Sequence, residues 1–128
     1  MDQLLREWIR YAETDLKSAE LQMDREGLYH ISVYQSHQAV EKIIKAYLVQ
    51  KKIEEVPKVH DLRKLVIFSK QFGLDLSSQK MDILELDSFF PKLRYPFGDE
   101  ISSDDAHRCF KIAFELVEMI KSSMNRNE

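Results

Sequence analysis

Apolar residues recur at intervals of three and four positions along much of the chain, which is the spacing of helices with one buried face. Over residues 2–25 they form a single stripe, made of Leu5, Trp8, Ile9, Ala12, Leu16, Ala19 and Met23. Gly27 follows and predicts the end of this helix, because glycine readily adopts the left-handed conformation that often follows a helix. The apolar pattern resumes within a few residues, which predicts an antiparallel helical hairpin.

The second predicted helix runs from Tyr29 to about Lys52 and has two unlike faces. Its apolar face must be buried and consists of Val33, Val40, Ile43, Ile44, Tyr47 and Leu48. The other face is rich in amides and charges and consists of Tyr34, Gln35, Gln38, Glu41, Lys42 and Lys45. The last four of these, Gln38, Glu41, Lys42 and Lys45, are called the polar ridge. His37 falls on the apolar side, where a histidine is more often a hydrogen-bonded core residue than a ligand.

The segment after the second helix breaks the helical pattern, because Pro57 cannot sit inside a helix. A short third helix is predicted over residues 62–72, with Asp61 as its N-cap and Gly73 as its end. His60 lies just before this helix, where it can cap the helix, move a proton or simply fill the loop.

A fourth helix is predicted from Ser77 or Ser78, either of which can cap it, to about Phe90. Its apolar residues fall on two sides: one side has Met81 and Leu84, with Ser88, and the other has Ile83, Leu86 and Phe90. A helix with two apolar sides contacts its own bundle and a further surface, and a second chain is one candidate for that surface.

Two prolines, Pro91 and Pro96, are predicted to forbid regular structure through the segment between them. We therefore expect Arg94 and Tyr95 in, or beside, a constrained loop. Arginine suits bidentate contact with phosphate or carboxylate, and tyrosine can stack on a base. The alternative is that Arg94 pairs with an acidic neighbour while Tyr95 packs under the end of the bundle.

The last helix begins at residues 101–105, where Ser102 and Asp105 resemble a capping box with aspartate in place of glutamate. Its stripe is unbroken and consists of Ala106, Cys109, Phe110, Ala113, Val117, Ile120 and Met124. Cys109 therefore lies on a buried face, which is a poor place for a nucleophile. The whole pattern predicts an all-α fold: a single domain over residues 1–128, built as an up-and-down bundle of four long helices plus one short helix.

Composition narrows the classes of function. The chain is 44% hydrophobic and 32% charged, which indicates a globular protein, and its formal net charge of −3 argues against one that grips long nucleic acid. The single cysteine excludes an internal disulfide and a cysteine-based zinc site, and no histidine pair has the spacing of a helical zinc site. We expect no metal and no cofactor. With neither a signal-peptide pattern nor a long apolar run, we expect a cytoplasmic protein without membrane contact.

The polar ridge is the first candidate for function. Its residues are neighbours across single helical turns, so the ordinary interpretation is an exposed face stabilised by ion pairs. The functional interpretation is a groove that meets a nucleotide or a partner chain, in which a lysine or arginine held by Glu41 is a preorganised anion contact. No glycine-rich phosphate loop, nucleophile elbow or complete catalytic constellation is present in the sequence.

Several short motifs follow one another in a fixed order. The strongest is residues 35–46, which read Q-x-x-Q-x-x-E-K-x-x-K-A. Around it stand D-L-x-x-A from Asp15, G-x-Y from Gly27, H-x-L-x-x-L from His60 and R-Y-P from Arg94. In this order and spacing they resemble the HEPN domain, a small helical bundle, in its compact prokaryotic form. The resemblance covers nearly the whole chain and implies a bundle that commonly dimerises.

The resemblance implies two competing functions. In one branch of the family the protein accompanies a minimal nucleotidyltransferase as a toxin–antitoxin-like pair, with nucleotide binding proposed. In another branch HEPN domains are metal-independent ribonucleases that carry an arginine followed a few residues later by a histidine. In this sequence no histidine follows Arg94 within a few residues. Arg25 and His30 have the spacing of the ribonuclease motif. They lie between the first two helices, however, which is the wrong place for that motif.

Three hypotheses result. The first is an interaction module that pairs with a nucleotidyltransferase and binds a nucleotide. Its groove would be lined by Gln38, Glu41, Lys42, Lys45, His60, Arg94 and Tyr95. The second is a toxin that cuts RNA through Arg94, His107 and Arg108. The third is a purely structural homodimer whose interface is the polar ridge, so that Glu41→Lys would break the dimer by charge repulsion.

Overall fold

A computed structural model describes residues 2–53, 55–94 and 101–125. Its elements are α1 (Gln3–Gln22), α2 (Tyr29–Gln50), α3 (Leu62–Lys70), a 3₁₀ turn (Ser77–Gln79), α4 (Lys80–Ser88), α5 (Phe90–Arg94) and α6 (Ser103–Asn125). These three ranges contain no strand, and the predicted all-α fold is confirmed. Within them, no helix combines the length and the apolar character needed to cross a membrane.

Helix α2 is the central element of the bundle and packs against both α1 and α6. Every residue of its predicted apolar face is buried: Val33, Val40, Ile43, Ile44, Tyr47 and Leu48. Burying each of the larger apolar side chains contributes roughly 1.5–3 kcal/mol through the hydrophobic effect. The apolar faces of the first and last helices therefore pack against α2, as their periodicity predicts.

Helices α1 and α2 form the predicted antiparallel hairpin. The Ser32 hydroxyl, near the start of α2, donates to the Ala19 carbonyl near the end of α1 at 2.7 Å. Further along α2, the Lys42 ammonium reaches Asp15, which lies earlier in α1. The chain reverses at Gly27, whose φ of +84° lies in the region that favours glycine.

Two of the predicted helix caps are confirmed. The Asp61 carboxylate accepts the backbone amides of Arg63 at 2.9 Å and Lys64 at 3.4 Å, which satisfies first-turn donors of α3. At the start of α6, the Ser102 amide donates to the Asp105 carboxylate at 3.0 Å, and the Asp105 amide donates to the Ser102 hydroxyl at 3.1 Å. This reciprocal pair is the capping box expected from the sequence.

The segment predicted as one fourth helix is divided into the 3₁₀ turn, α4 and α5. The predicted serine cap of α4 is wrong, because the residue before this helix is Gln79 and its side chain makes no capping hydrogen bond. The Asp75 carboxylate instead accepts the Ser77 amide at 3.0 Å and fixes the 3₁₀ turn.

The prediction that Pro91 prevents regular structure is also wrong. Pro91 is the second residue of α5, and a first-turn position needs no amide hydrogen because it has no acceptor inside the helix. The proline therefore starts a new short helix, which packs against α2 and ends at Arg94. Pro96 lies outside the described residues.

His37 is a hydrogen-bonded core residue, as its place on the apolar side of α2 predicts. Its side chain is fully buried, its Nε2 lies 3.0 Å from the Asp87 carboxylate of α4, and its ring stacks on Phe90 at 4.6 Å. The same carboxylate accepts the Leu62 amide at the start of α3 at 3.3 Å. One buried polar contact thus connects α2, α3 and α4.

The second ring nitrogen of His37, Nδ1, keeps the ring in its neutral form. Nδ1 is buried and has no hydrogen-bond partner within the described ranges. Because a carboxylate only accepts, the proton of the neutral ring sits on Nε2, and charging the ring would put a second proton on the unpaired Nδ1. Burial lowers the pKa of His37 below its ordinary 6.5 and outweighs the opposing effect of Asp87.

Replacing Gly73 is expected to destabilise the fold more than replacing Gly27. Both have positive φ, but a Cβ at Gly73 would lie 3.0 Å from the Tyr47 hydroxyl, whereas a Cβ at Gly27 would meet nothing within 4 Å. The left-handed backbone alone costs an L-residue about 1–2 kcal/mol, and the Tyr47 contact adds to it at Gly73. Urea denaturation of Gly73→Ala and Gly27→Ala measures the difference; equal losses would contradict the contact.

His37 is expected to make the fold less stable as pH falls. The unfolded chain takes up this proton at a higher pH than the folded chain, so protonation favours unfolding below the ordinary pKa of 6.5. For one proton the free energy of unfolding falls by at most about 1.4 kcal/mol per pH unit. His37→Gln retains a donor for Asp87 but does not titrate. Urea denaturation of both proteins from about pH 7 to pH 5 should give a smaller slope for the variant, and equal slopes would exclude this role.

Candidate functional site

The polar ridge is not the exposed face that its sequence suggests. Glu41 is 3% exposed and Lys45 is 6% exposed, so the predicted exposure is wrong for these two residues. The reason is the central position of α2, since α1 packs along it and the segment before α3 brings His60 onto Glu41. Glu41→Lys would therefore place a second ammonium group in a buried site, and it would disturb folding before it disturbed any interface.

The buried carboxylate of Glu41 holds two nitrogen groups. Lys45 Nζ, one turn further along α2, donates to Glu41 Oε2 at 3.1 Å. His60 Nδ1 lies 3.1 Å from Oε1 and 3.3 Å from Oε2, and it carries the hydrogen because a carboxylate only accepts. We call Glu41, Lys45 and His60 the Glu41 cluster. The Lys45 ammonium and the His60 N–H together offset the cost of removing a carboxylate from water.

Lys42 of the polar ridge contacts the first helix of the hairpin. Lys42 donates to Asp15 of α1 at 2.6 Å, and its ammonium lies 5.8 Å from the centre of the Tyr11 ring. Gln38 is half-buried one turn earlier on α2. The ridge thus contributes Glu41 and Lys45 to the Glu41 cluster and Lys42 to the contact between α1 and α2.

The predicted neighbours of the ridge are described only in part. Arg94 is the last residue of α5, which packs against α2. The Arg94 side chain and the whole of Tyr95 lie outside the described residues. Their place in a shared groove stays a prediction.

A cleft of about 700 Å³ opens beside Lys45, and we call it the lysine cleft. Its wall includes Trp8 and two further lysines, Lys52 and Lys58. The Lys45 ammonium lies 5.9 Å from the centre of the Trp8 ring, where the aromatic face attracts a cation. Glu41 takes one of its three hydrogens, so Lys45 retains donors for a ligand.

Two carboxylates, Asp2 and Glu55, also line the lysine cleft. Asp2 is the N-cap of α1 and accepts the Leu4 amide at 3.2 Å, so this carboxylate is already engaged. Three lysines and two carboxylates therefore line the cleft, so the lysines exceed the carboxylates by one. Lys52 and Lys58 leave two ammonium groups that can meet a ligand with negative charge.

Lys52 has a strained backbone. Its φ is +60°, in the left-handed region that glycine usually occupies just after a helix. The amides of Lys52 and Ile53 donate to the carbonyls of Val49 at 2.9 Å and Leu48 at 3.3 Å, which is the Schellman pattern of a helix end. A side chain at this position costs roughly 1 kcal/mol relative to glycine.

A second cleft, of about 500 Å³, opens beside His60, and we call it the histidine cleft. Arg63 and Lys64, from the first turn of α3, line it together with Asp61 and Asp87. The Glu41 cluster therefore contributes to both clefts, because its lysine lines the first and its histidine lines the second.

Sequence alone does not single out four of the cations that line the clefts: Lys52, Lys58, Arg63 and Lys64. They lie in and around the segment that breaks the helical pattern, and periodicity does not show that this segment returns to the bundle beside Trp8. One sequence signal could have identified Lys52, because this lysine stands just after a helix, where glycine is common.

Two residues of the ribonuclease hypothesis, His107 and Arg108, contact different parts of the bundle, while the Arg94 side chain lies outside the described residues. His107 Nε2 contacts the Asp24 carboxylate just beyond α1, whereas Arg108 Nε donates to Glu85 of α4 at 2.7 Å. Burial raises the pKa of the Cys109 thiol to about 12, and the expectation that it is a poor nucleophile is confirmed. The described part of the chain has no group of three or more His, Cys, Asp or Glu side chains placed to hold a metal ion.

Comparisons with known proteins agree with this architecture. The family model of the HEPN domain matches residues 5–123. A crystal structure of an archaeal HEPN homologue superimposes with a TM-score of 0.73 at 21% identity, covering 97% of this chain and 99% of the other. At that identity the likeness shows the fold alone. No curated protein gives a significant match. The family match extends over nearly the whole chain, and the protein therefore belongs to the HEPN domain family.

Proposed function

We propose that the protein is a HEPN-type binding module that holds the phosphate groups of a nucleotide in the lysine cleft. The observation that carries the proposal is the state of Lys45, whose ammonium is almost buried and held by Glu41 and yet lines an open cleft. A cation fixed before the ligand arrives loses little freedom on binding. It is therefore a preorganised contact for an anion.

Other features of the lysine cleft support a nucleotide as the ligand. Its volume falls within the range of about 300–1,000 Å³ that is usual for small-molecule sites. Lys52 and Lys58 add two cations for a chain of phosphates, and the half-buried Trp8 offers a ring on which a base can stack. The strained backbone of Lys52 supports a role for its side chain.

The proposal includes two protein contacts in the cytoplasm. The first is with a minimal nucleotidyltransferase in a toxin–antitoxin-like pair, and its support is the run at residues 35–46, which resembles the branch of the family that accompanies such enzymes. The second is a homodimer, since HEPN proteins often dimerise. Met81 supports it, because this residue is 75% exposed on α4, whose other apolar residues Ile83 and Leu86 are buried.

Nucleotide binding is expected to change the fluorescence of Trp8, the single tryptophan of the chain. Titration with ATP, GTP, CTP and UTP, with calorimetry in parallel, tests it. Lys58→Ala should weaken binding about tenfold, the equivalent of one charge-assisted contact. Lys80→Ala removes an exposed lysine from α4 and is the matched control. A titration without heat or fluorescence change for every nucleotide would exclude this function.

Lys52 allows the same experiment to separate binding from stability. Lys52→Gly relieves the left-handed backbone and should raise the free energy of unfolding by up to about 1 kcal/mol while it weakens nucleotide binding. Lys52→Ala removes the charge but keeps the strain, so it should weaken binding without that gain. Unchanged affinity in both variants would remove Lys52 from the site.

The protein contacts are tested by light scattering after size-exclusion chromatography. We expect a dimer for the wild type and a monomer for Met81→Lys, because the substitution places a charge in an apolar contact. Leu21→Lys alters an equally apolar exposed residue on α1 and should remain dimeric.

A small nucleotidyltransferase encoded in the adjoining gene should elute together with the protein. Separate elution, or a monomeric wild type, contradicts the corresponding contact.

A further inference from the structure

His60 combines a fixed hydrogen on one ring nitrogen with an accessible lone pair on the other. Its side chain is 57% exposed and lines the histidine cleft, although the carboxylate it contacts is buried. Because Nδ1 donates to Glu41, the neutral ring has its lone pair on Nε2. Within the described ranges Nε2 has no hydrogen-bond partner. This is the arrangement in which a carboxylate orients an imidazole for reaction at the far nitrogen.

The other three histidines lack this combination. His37 is fully buried against Asp87. His107 meets its carboxylate through Nε2, so its remaining nitrogen is Nδ1. His30 is exposed and contacts no carboxylate in the part of the chain that the structure describes. The chain therefore contains its own controls for the chemistry of His60.

Two cations line the same cleft as His60. Lys64 is exposed and makes no ion pair among the described residues. Arg63 lies at looser distances from two carboxylates, 3.7 Å from Asp61 and 3.5 Å from Asp87, and remains largely exposed. A doubly charged group attached to the imidazole would meet both cations, and arginine and lysine are the usual partners of phosphate oxygens.

We propose that His60 accepts a phosphoryl group on Nε2 from a phosphoramidate or acyl phosphate donor. With phosphoramidate in its N-protonated form, the Nε2 lone pair forms the new N–P bond, the P–N bond of the donor breaks, and ammonia leaves with the bonding electrons. With an acyl phosphate, the P–O bond to the acyl group breaks and a carboxylate leaves. The ring retains its hydrogen on Nδ1 and becomes positively charged. Glu41 is a positioning residue whose carboxylate stabilises that charge, while Arg63 and Lys64 stabilise the phosphoryl oxygens.

The test uses phosphoramidate alone as the donor. Incubation with the wild-type protein should add one phosphoryl group per chain. Tandem mass spectrometry should place it on His60, and phosphorus NMR should identify the Nε2 isomer. His60→Gln keeps a donor for Glu41 and should lose the modification. Lys64→Gln should slow the modification about tenfold, the rate equivalent of one charge-assisted hydrogen bond.

Three results would overturn the proposal: equal rates at His30 and His60, the Nδ1 isomer at His60, or an undiminished modification of His60→Gln. His30→Gln is the matched control and should be modified like the wild type. Urea denaturation of His60→Gln and Lys64→Gln verifies that each variant is folded. The proposal does not depend on nucleotide binding, because the lysine cleft takes no part in the reaction with phosphoramidate.

Discussion

The structure depends on a carboxylate buried in the middle of its central helix. An unpaired charge at the depth of Glu41 would cost several kcal/mol, so the chain must bring hydrogen-bond donors to it. Lys45 comes from the same helix, but His60 belongs to the segment between α2 and α3, which must fold back to reach it. The course of the segment around Pro57 is therefore set by this polar contact as well as by apolar packing.

Periodicity predicts most of the fold because most of it is amphipathic helix packed on one side. The stripes of α1 and α6, the Asp61 cap and the capping box at Ser102 all follow from local sequence. Periodicity does not predict the burial of α2, since a central helix is covered on more than one side and its polar residues are buried with the apolar ones. It also fails at Pro91, because a proline can begin a helix as readily as it can end one.

The candidate site was predictable only where its residues share a helix or a motif. Glu41 and Lys45 stand one turn apart on α2, and His60 belongs to a motif that the family resemblance had already marked. That His60 meets Glu41 is a long-range contact, and one sequence contains no local signal for it. For the same reason Lys52 and Arg63 were missed: their importance comes from the clefts that they line.

The burial of Cys109 has a practical consequence for the study of this bundle. Burial raises the pKa of the thiol, so it stays protonated near neutral pH, and the side chain is fully buried. Cysteines engineered at two exposed positions would therefore be the thiols that react with a maleimide. Fluorophore pairs or spin labels could then report distances across the two clefts in an otherwise native sequence.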